Sequence, residues 1–130
     1  MPDRIVVVAA VIEQDGRFLV ARRLKGTHLA GCWEFPGGKV HHGETQEAAL
    51  RREITEELST GIEKARKIFD TAHVYPDRIV ELHFYRAELT GEPQPVLGQE
   101  LRWITRGDFG ALEFPPADAE LIDGLVNASL

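Results

Sequence analysis

Residues 37–58, GGKVHHGETQEAALRREITEEL, constrain this chain more than any other stretch. A glycine pair follows Trp33-Glu34-Phe35-Pro36, Gly43-Glu44 falls in a loop, and a charged helix comes next. At ~100° per residue, Glu53, Glu56 and Glu57 share an arc of roughly 100° beside an apolar stripe of Leu50, Ile54 and Leu58. Carboxylates at these spacings are neighbours and repel. A hard divalent cation relieves the repulsion, because Mg²⁺ takes oxygen ligands and keeps some of its waters. The face is therefore expected to hold Mg²⁺, with Mn²⁺ as the alternative. Glu53 and Glu57 are the first-choice ligands, and Glu56 is either a ligand or a general base. Attack at a phosphorus bearing negative oxygens calls for such a cation, which neutralises developing charge and lowers the pKa of the attacking water. The competing reading is a solvated helix face with Arg51 and Arg52 as local partners. It leaves the glycines and Glu44 at fixed upstream distances without a reason.

The same stretch resembles the signature of the Nudix hydrolases. That pattern is a Gly, five residues, a Glu, seven residues, then Arg-Glu-aliphatic-x-Glu-Glu-x-Gly-aliphatic. The matching residues here are Gly38, Glu44, Arg52, Glu53, Ile54, Glu56 and Glu57. Ser59 and Thr60 depart from the pattern, and Gly61 arrives two residues late. A glycine there would cap the helix in the left-handed region, so the departure bears on the helix end and not on the metal ligands. The resemblance implies that the Gly37 carbonyl adds a metal ligand. It also implies that Arg52 orients a carboxylate by paired hydrogen bonds instead of touching substrate. Glu44 is either in contact with the metal or a loop carboxylate serving the following helix near Thr45. A further acid is expected from a loop beyond the box. Glu100, the nearest acid in Leu97-Gly98-Gln99-Glu100, is either that group or a plain surface glutamate. Gly37 and Gly38, lacking a Cβ, allow dihedrals closed to other residues and a close approach of the backbone to a ligand.

Outside the box, Ala21-Arg22-Arg23, His28-Leu29-Ala30, Trp33-Glu34-Phe35-Pro36, Tyr75-Pro76-Asp77-Arg78 and Phe114-Pro115-Pro116-Ala117-Asp118 are similar to the MutT-like branch of the family. That branch cleaves nucleoside triphosphates to a monophosphate and pyrophosphate. The resemblance implies a substrate pocket lined by Arg23, His28, Glu34, Phe35, Pro36, Gly37, Gly38, Tyr75, Arg78 and Asp118. Arg23 would meet phosphate or sugar, while Phe35 and Arg78 would pack along the base. Taken singly, each has an ordinary alternative: surface charge for the arginines, loop for His28, core for Phe35 and Tyr75. MutT places Asn where this chain has Asp118. An amide offers a donor and an acceptor, whereas an ionised carboxylate only accepts. Asp118 therefore either favours donor-rich base edges such as cytosine, or merely N-caps the last helix. The substrates in view are 8-oxo-dGTP and CTP- or dCTP-type triphosphates. The rivals are a Nudix enzyme acting on another nucleoside diphosphate derivative and a catalytically silent nucleotide sensor.

A chain of 130 residues is expected to form one domain with a real core. No apolar run approaches the ~20 residues that span a bilayer, and the first residues lack a charged-then-apolar leader. One cysteine, Cys32, precludes an internal disulfide and fits a reducing cytoplasm. A net charge of −6 argues against a nucleic-acid polymer as partner but not against a small polyphosphate. The expected state is a monomer or weak homodimer. Residues 5–13 read as a buried strand, Asp15-Gly16 as a tight turn and 17–22 as a second strand. Residues 65–74 and 79–89 are further strands, 100–105 another, and 108–112 a helical turn. In 117–130, Leu121, Ile122, Leu125 and Val126 are expected on one helix face. This order suggests an α+β fold with helices packed on a mixed sheet. The Nudix resemblance implies the same α/β/α sandwich.

Overall fold

The computed structural model describes residues 3–27 and 29–130. Strand β1 (Asp3–Val11) leads into β2 (Glu13–Gln14), and the chain returns as β3 (Arg17–Arg22). Asp15 and Gly16 both turn left-handed, with φ of 52° and 75°, as a two-residue hairpin turn requires. Next come β4 (Trp33–Glu34), β5 (Gly37–Lys39) and helix α1 (Gln46–Leu58). Strands β6 (Ile62–Val74), β7 (Arg78–Leu89) and β8 (Leu101–Ile104) follow, then 3-10 turns at Arg106–Ala111 and Pro116–Asp118 and helix α2 (Ala119–Val126). One sheet runs β5-β1-β7-β6, with β1 parallel to β7 and the other pairs antiparallel. The second sheet places β2, β4 and β8 around β3.

Side chains alternate across a strand, and β1 uses both faces. Val8, Ala10 and Ile12 pack with Leu50, Ile54 and Leu58 of α1. Ala9 and Val11 face the opposite way, into a cluster with Phe35, Phe84, Phe109, Leu121 and Leu125. The sheets therefore lie between α1 and α2, an α/β/α arrangement of α+β class. Fully burying Leu50, Ile54 and Leu58 contributes roughly 1.5–3 kcal/mol each. That sets the roll of α1 and holds its acidic flank away from the core.

Two details differ from the pattern read in the sequence. Helix α2 ends at Val126, which is 45% exposed, while Leu121 and Leu125 are buried and Ile122 only partly so. An eight-residue helix offers the core one narrow stripe. Beyond it the chain turns back through Ala128 (φ 55°), and Ser129 N–H donates to the Gly124 carbonyl. At the end of α1, Ser59 itself adopts the left-handed conformation (φ 55°, ψ 34°) that the signature reserves for glycine. The cap forms without glycine, at a conformational cost of roughly 1–2 kcal/mol.

Candidate active site

Helix α1 starts where Thr45 Oγ1 accepts the Ala48 N–H at 3.1 Å, satisfying one orphan donor of the first turn. With its apolar stripe turned inward, α1 lays its acidic flank along β5. Neither Gly37 nor Gly38 has a positive φ. Their lack of a Cβ serves close approach instead: on Gly37 it would overlap the Val8 carbonyl of β1, and on Gly38 the Glu53 carboxylate. The Gly37 N–H donates to Glu57 Oε2 at 3.0 Å.

Arg52 organises the acids around it. Its Nε and one Nη donate to the two Glu44 oxygens at 2.8 and 3.0 Å, the paired geometry of a guanidinium–carboxylate fork. The same guanidinium reaches Glu53 at 2.9 Å, Glu56 at 3.3 Å and the Lys39 carbonyl at 2.9 Å. Glu44 also accepts the His41 N–H at 3.0 Å. The Arg52 and His41 hydrogen bonds pull its carboxyl down to about 2. Glu44 is thus an anchor for Arg52. Replacing Arg52 by Lys, a point charge that cannot serve these acceptors together, is expected to lower kcat about 10–100-fold, the usual loss when a ligand's support is removed. Substrate KM should stay nearly constant, which steady-state kinetics will check.

Glu57 lies outside the reach of Arg52. Among the described residues it has no ion-pair partner. Burial, followed by repulsion from Glu53 and Glu34, pushes its carboxyl up to about 8, against the opposing Gly37 hydrogen bond and with Glu56 adding to the repulsion. Among the described residues no three acidic, histidine or cysteine side chains form a finished ligand cage; Glu53 and Glu56 turn to Arg52 and Glu57 turns to Gly37. The donor chemistry nevertheless fits a hard divalent cation, being all carboxylate oxygen with one half-buried acid that lacks a counter-charge among the described residues.

Two cavities adjoin this flank. The larger, of about 460 Å³, is lined by Arg23, Glu34, Phe35, Gly37, Gly38, Tyr75, Arg78 and Asp118, together with Leu29, Lys39, Asp77, Val80, Leu82, Phe84, Pro115, Ala117 and residues 7–9. The smaller, of about 130 Å³, contains Arg22, Leu24, Thr27, Pro36, Glu57, Leu97 and Gln99 in its wall. Arg23 and Glu34 border both, paired at 2.5 Å. Burial raises the Glu34 carboxyl while the charge and hydrogen bond of Arg23 oppose the rise. Asp118 is buried and makes no side-chain cap hydrogen bond, so the capping alternative fails. Burial first, then repulsion from Glu34, pushes it up to about 7, with Arg23 pulling the other way.

Most sequence-selected residues thus meet in one region. Phe35 is nearly enclosed, its ring against Phe84, Phe109 and Phe114, so it forms the cavity floor. Pro36 faces the smaller cavity, and its carbonyl accepts the Ala10 N–H at 2.8 Å. Glu100 is not brought to the site: it pairs with Arg102 at 3.2 Å and Arg22 at 3.7 Å and lines neither cavity. Its neighbour Gln99, in the loop before β8, turns inward instead. His28 lies outside the described residues. Val80, Leu82 and Phe84 were missed although their period-2 spacing on β7 signals one shared face. Leu29 lies in the His28-Leu29-Ala30 stretch but was not selected from it, and Lys39 and Gln99 carry no comparable signal.

An acidic helix flank beside a cleft large enough for a nucleotide, on a mixed-sheet sandwich, is the arrangement expected of a hydrolase of phosphate groups. A NUDIX domain profile matches residues 7–124. The chain is 40% identical to an 8-oxo-dGTP diphosphatase of Haemophilus influenzae, over 98% of this chain and 96% of that one. It is 39% identical to a CTP pyrophosphohydrolase of Escherichia coli, over 94% and 91%. The crystal structure of a MutT NUDIX hydrolase from Burkholderia pseudomallei superposes with a TM-score of 0.84 at 31% identity, covering 93% of this chain and 97% of that one. The chain belongs to the Nudix hydrolase family and is an enzyme of its MutT-like group. Enzymes of this family use divalent metal ions. No helix among the described residues is long and apolar enough to cross a membrane.

Proposed function

We propose that this enzyme hydrolyses nucleoside triphosphates to a monophosphate and pyrophosphate with Mg²⁺ or Mn²⁺, on oxidised guanine or cytosine nucleotides. The observation that carries the reading is the pair of cavities joined at Arg23–Glu34. One is largely apolar and ends at Asp118, suited to a base. The other opens beside Glu57 and two arginines, suited to phosphates.

Glu53, Glu57 and the Gly37 carbonyl would hold the ion, with Glu56 as a further ligand or as the base. A bound divalent ion supplies positive charge that neutralises phosphate oxygens and lowers the pKa of the attacking water. Arg52 keeps Glu53 and Glu56 oriented, and Arg23 turns from Glu34 toward a substrate oxygen. Water oxygen bonds to phosphorus, its proton passes to a box carboxylate, and the bridging P–O bond breaks to release pyrophosphate.

The position of Asp118 changes the expectation for base choice. With its carboxyl near 7, it presents both an ionised form that accepts and a neutral form that donates and accepts. The neutral form offers what the Asn amide offers, so one residue serves both cytosine and oxidised guanine. Asp118→Asn removes the ionised form. It is expected to cut kcat/KM for CTP and dCTP by roughly tenfold or more relative to 8-oxo-dGTP, about the value of one mismatched buried hydrogen bond. A pyrophosphate-release panel of normal and oxidised triphosphates tests both points. No release from any triphosphate with Mg²⁺ or Mn²⁺ overturns the activity, and an unchanged base ratio in Asp118→Asn removes the selector.

A further inference from the structure

The signature sets glycine at the end of its helix for a reason this chain must meet in another way. The last carbonyls of an α-helix have no intrahelical partner. In α1 the Ser59 N–H closes back to Thr55, leaving the carbonyls of Glu57 and Leu58 exposed to whatever packs against them. The loop between β7 and β8 supplies the partners. Gln94 N–H donates to the Leu58 carbonyl at 2.8 Å, and Val96 N–H reaches the Glu57 carbonyl at 3.3 Å. The shorter bond to Glu57 comes from a side chain: Gln99 Nε2 donates to the same carbonyl at 3.0 Å.

Gln99 is buried and uses both ends of its amide, since Oε1 accepts the Leu97 N–H at 2.9 Å. One group therefore fixes the loop and the helix end at once. The pairing demands a donor and an acceptor on one planar head, which Gln has and Glu and Leu lack. The carbonyl it holds belongs to Glu57, whose side chain carries the half-buried acid beside Gly37, and Gln99 and Glu57 share the wall of the smaller cavity.

We propose that Gln99 is a positioning residue for hydrolysis, fixing the last turn of α1 so that the Glu57 carboxylate meets cation and substrate in register. The inference rests on the metal-dependent triphosphate hydrolysis proposed above. It assigns a function to a loop residue beside the acid, Glu100, that the sequence had favoured. The backbone bonds from Gln94 and Val96 do not use the Gln99 side chain, so the expected effect of its loss is a displaced carboxylate and not an unfolded helix.

Three variants separate the roles. Gln99→Leu removes both hydrogen bonds, Gln99→Glu keeps the acceptor but sets a carboxylate against the Glu57 carbonyl, and Gln99→Asn keeps the amide on a shorter arm. Mn²⁺ binding to the metal-free protein is read by the loss of the free-ion paramagnetic resonance signal, alongside kcat, nucleotide KM and the Mg²⁺ activation constant. Circular dichroism establishes that each variant is folded. Weaker Mn²⁺ binding, a raised activation constant and a reduced kcat, each by about tenfold or more, with nucleotide KM within about twofold, are expected in Gln99→Leu and Gln99→Glu. A lowered melting temperature with Mn²⁺ affinity and kcat intact overturns the proposal. Should the two larger changes prevent folding, wild-type Mn²⁺ affinity and kcat in Gln99→Asn overturn it equally. A parent enzyme that releases no pyrophosphate overturns the activity instead, and the Mn²⁺ titration then still decides the role of Gln99.

Discussion

Glu57→Gln is expected to lower kcat by roughly 10²–10⁴-fold, because a ligand of an ion that supplies several kcal/mol of transition-state charge stabilisation is lost, while leaving the fold in place. The amide is isosteric with the carboxylate, and its oxygen still accepts the Gly37 N–H that Glu57 receives at 3.0 Å. What disappears is the negative charge next to Glu53 and Glu34. A structural role for Glu57 predicts the opposite pairing of results, with stability falling alongside activity. Here the substitution removes a half-buried charge with no counter-ion among the described residues. Metal-free Glu57→Gln should therefore melt higher than the parent at pH 8. Single-turnover rates at saturating Mg²⁺, with melting curves on the same samples, check both halves. Retention of most activity would return the helix flank to a solvated charge run.

The acidic helix was legible because its constraints are local. The stripe of Leu50, Ile54 and Leu58 and the flank of Glu53, Glu56 and Glu57 follow from helical geometry alone, and the apolar run of residues 5–13 marked a buried strand, although its two packed faces emerged only with the fold. Features that depend on residues distant in sequence were less visible. Glu100 was favoured because it is the nearest acid in its loop, yet on entering β8 the chain turns it toward Arg102 and Arg22 and sends Gln99 inward. The need for glycine at 37 and 38 was legible, but part of its reason was not. A free choice of dihedral is not used there, and the contacts with Val8 and Glu53 exist only once β1, β5 and α1 are assembled. Asp118 was read as an ionised acceptor because a sequence carries no burial. Its enclosure beside Glu34 moves it toward neutrality. The same limit hid the range of Arg52, whose five acceptor contacts span Lys39, Glu44 and the helix itself.

Stability in the absence of metal should fall as pH rises from 5.5 to 8. Unfolded, Glu57 ionises near its ordinary 4.5; folded, it ionises at about 8. Between these values the native chain holds a proton that the unfolded chain has released, so unfolding becomes easier with each rise in pH. One such group contributes a slope of about 1.4 kcal/mol per pH unit across its window. Asp118, displaced from 3.8 to about 7, acts in the same direction over a lower window. Glu44 is displaced the other way, to about 2, so its stabilising contribution is complete above its ordinary 4.5 and leaves this range undisturbed. A divalent ion binds the ionised carboxylates, and its stabilisation grows as protons leave. The melting temperature of metal-free protein should thus decline toward pH 8, Glu57→Gln should flatten the decline, and the shift produced by Mg²⁺ should be larger at pH 8 than at pH 5.5. Equal slopes in parent and variant would mean that burial does not hold the Glu57 proton, and the case for a cation at that carboxylate would lose its electrostatic basis.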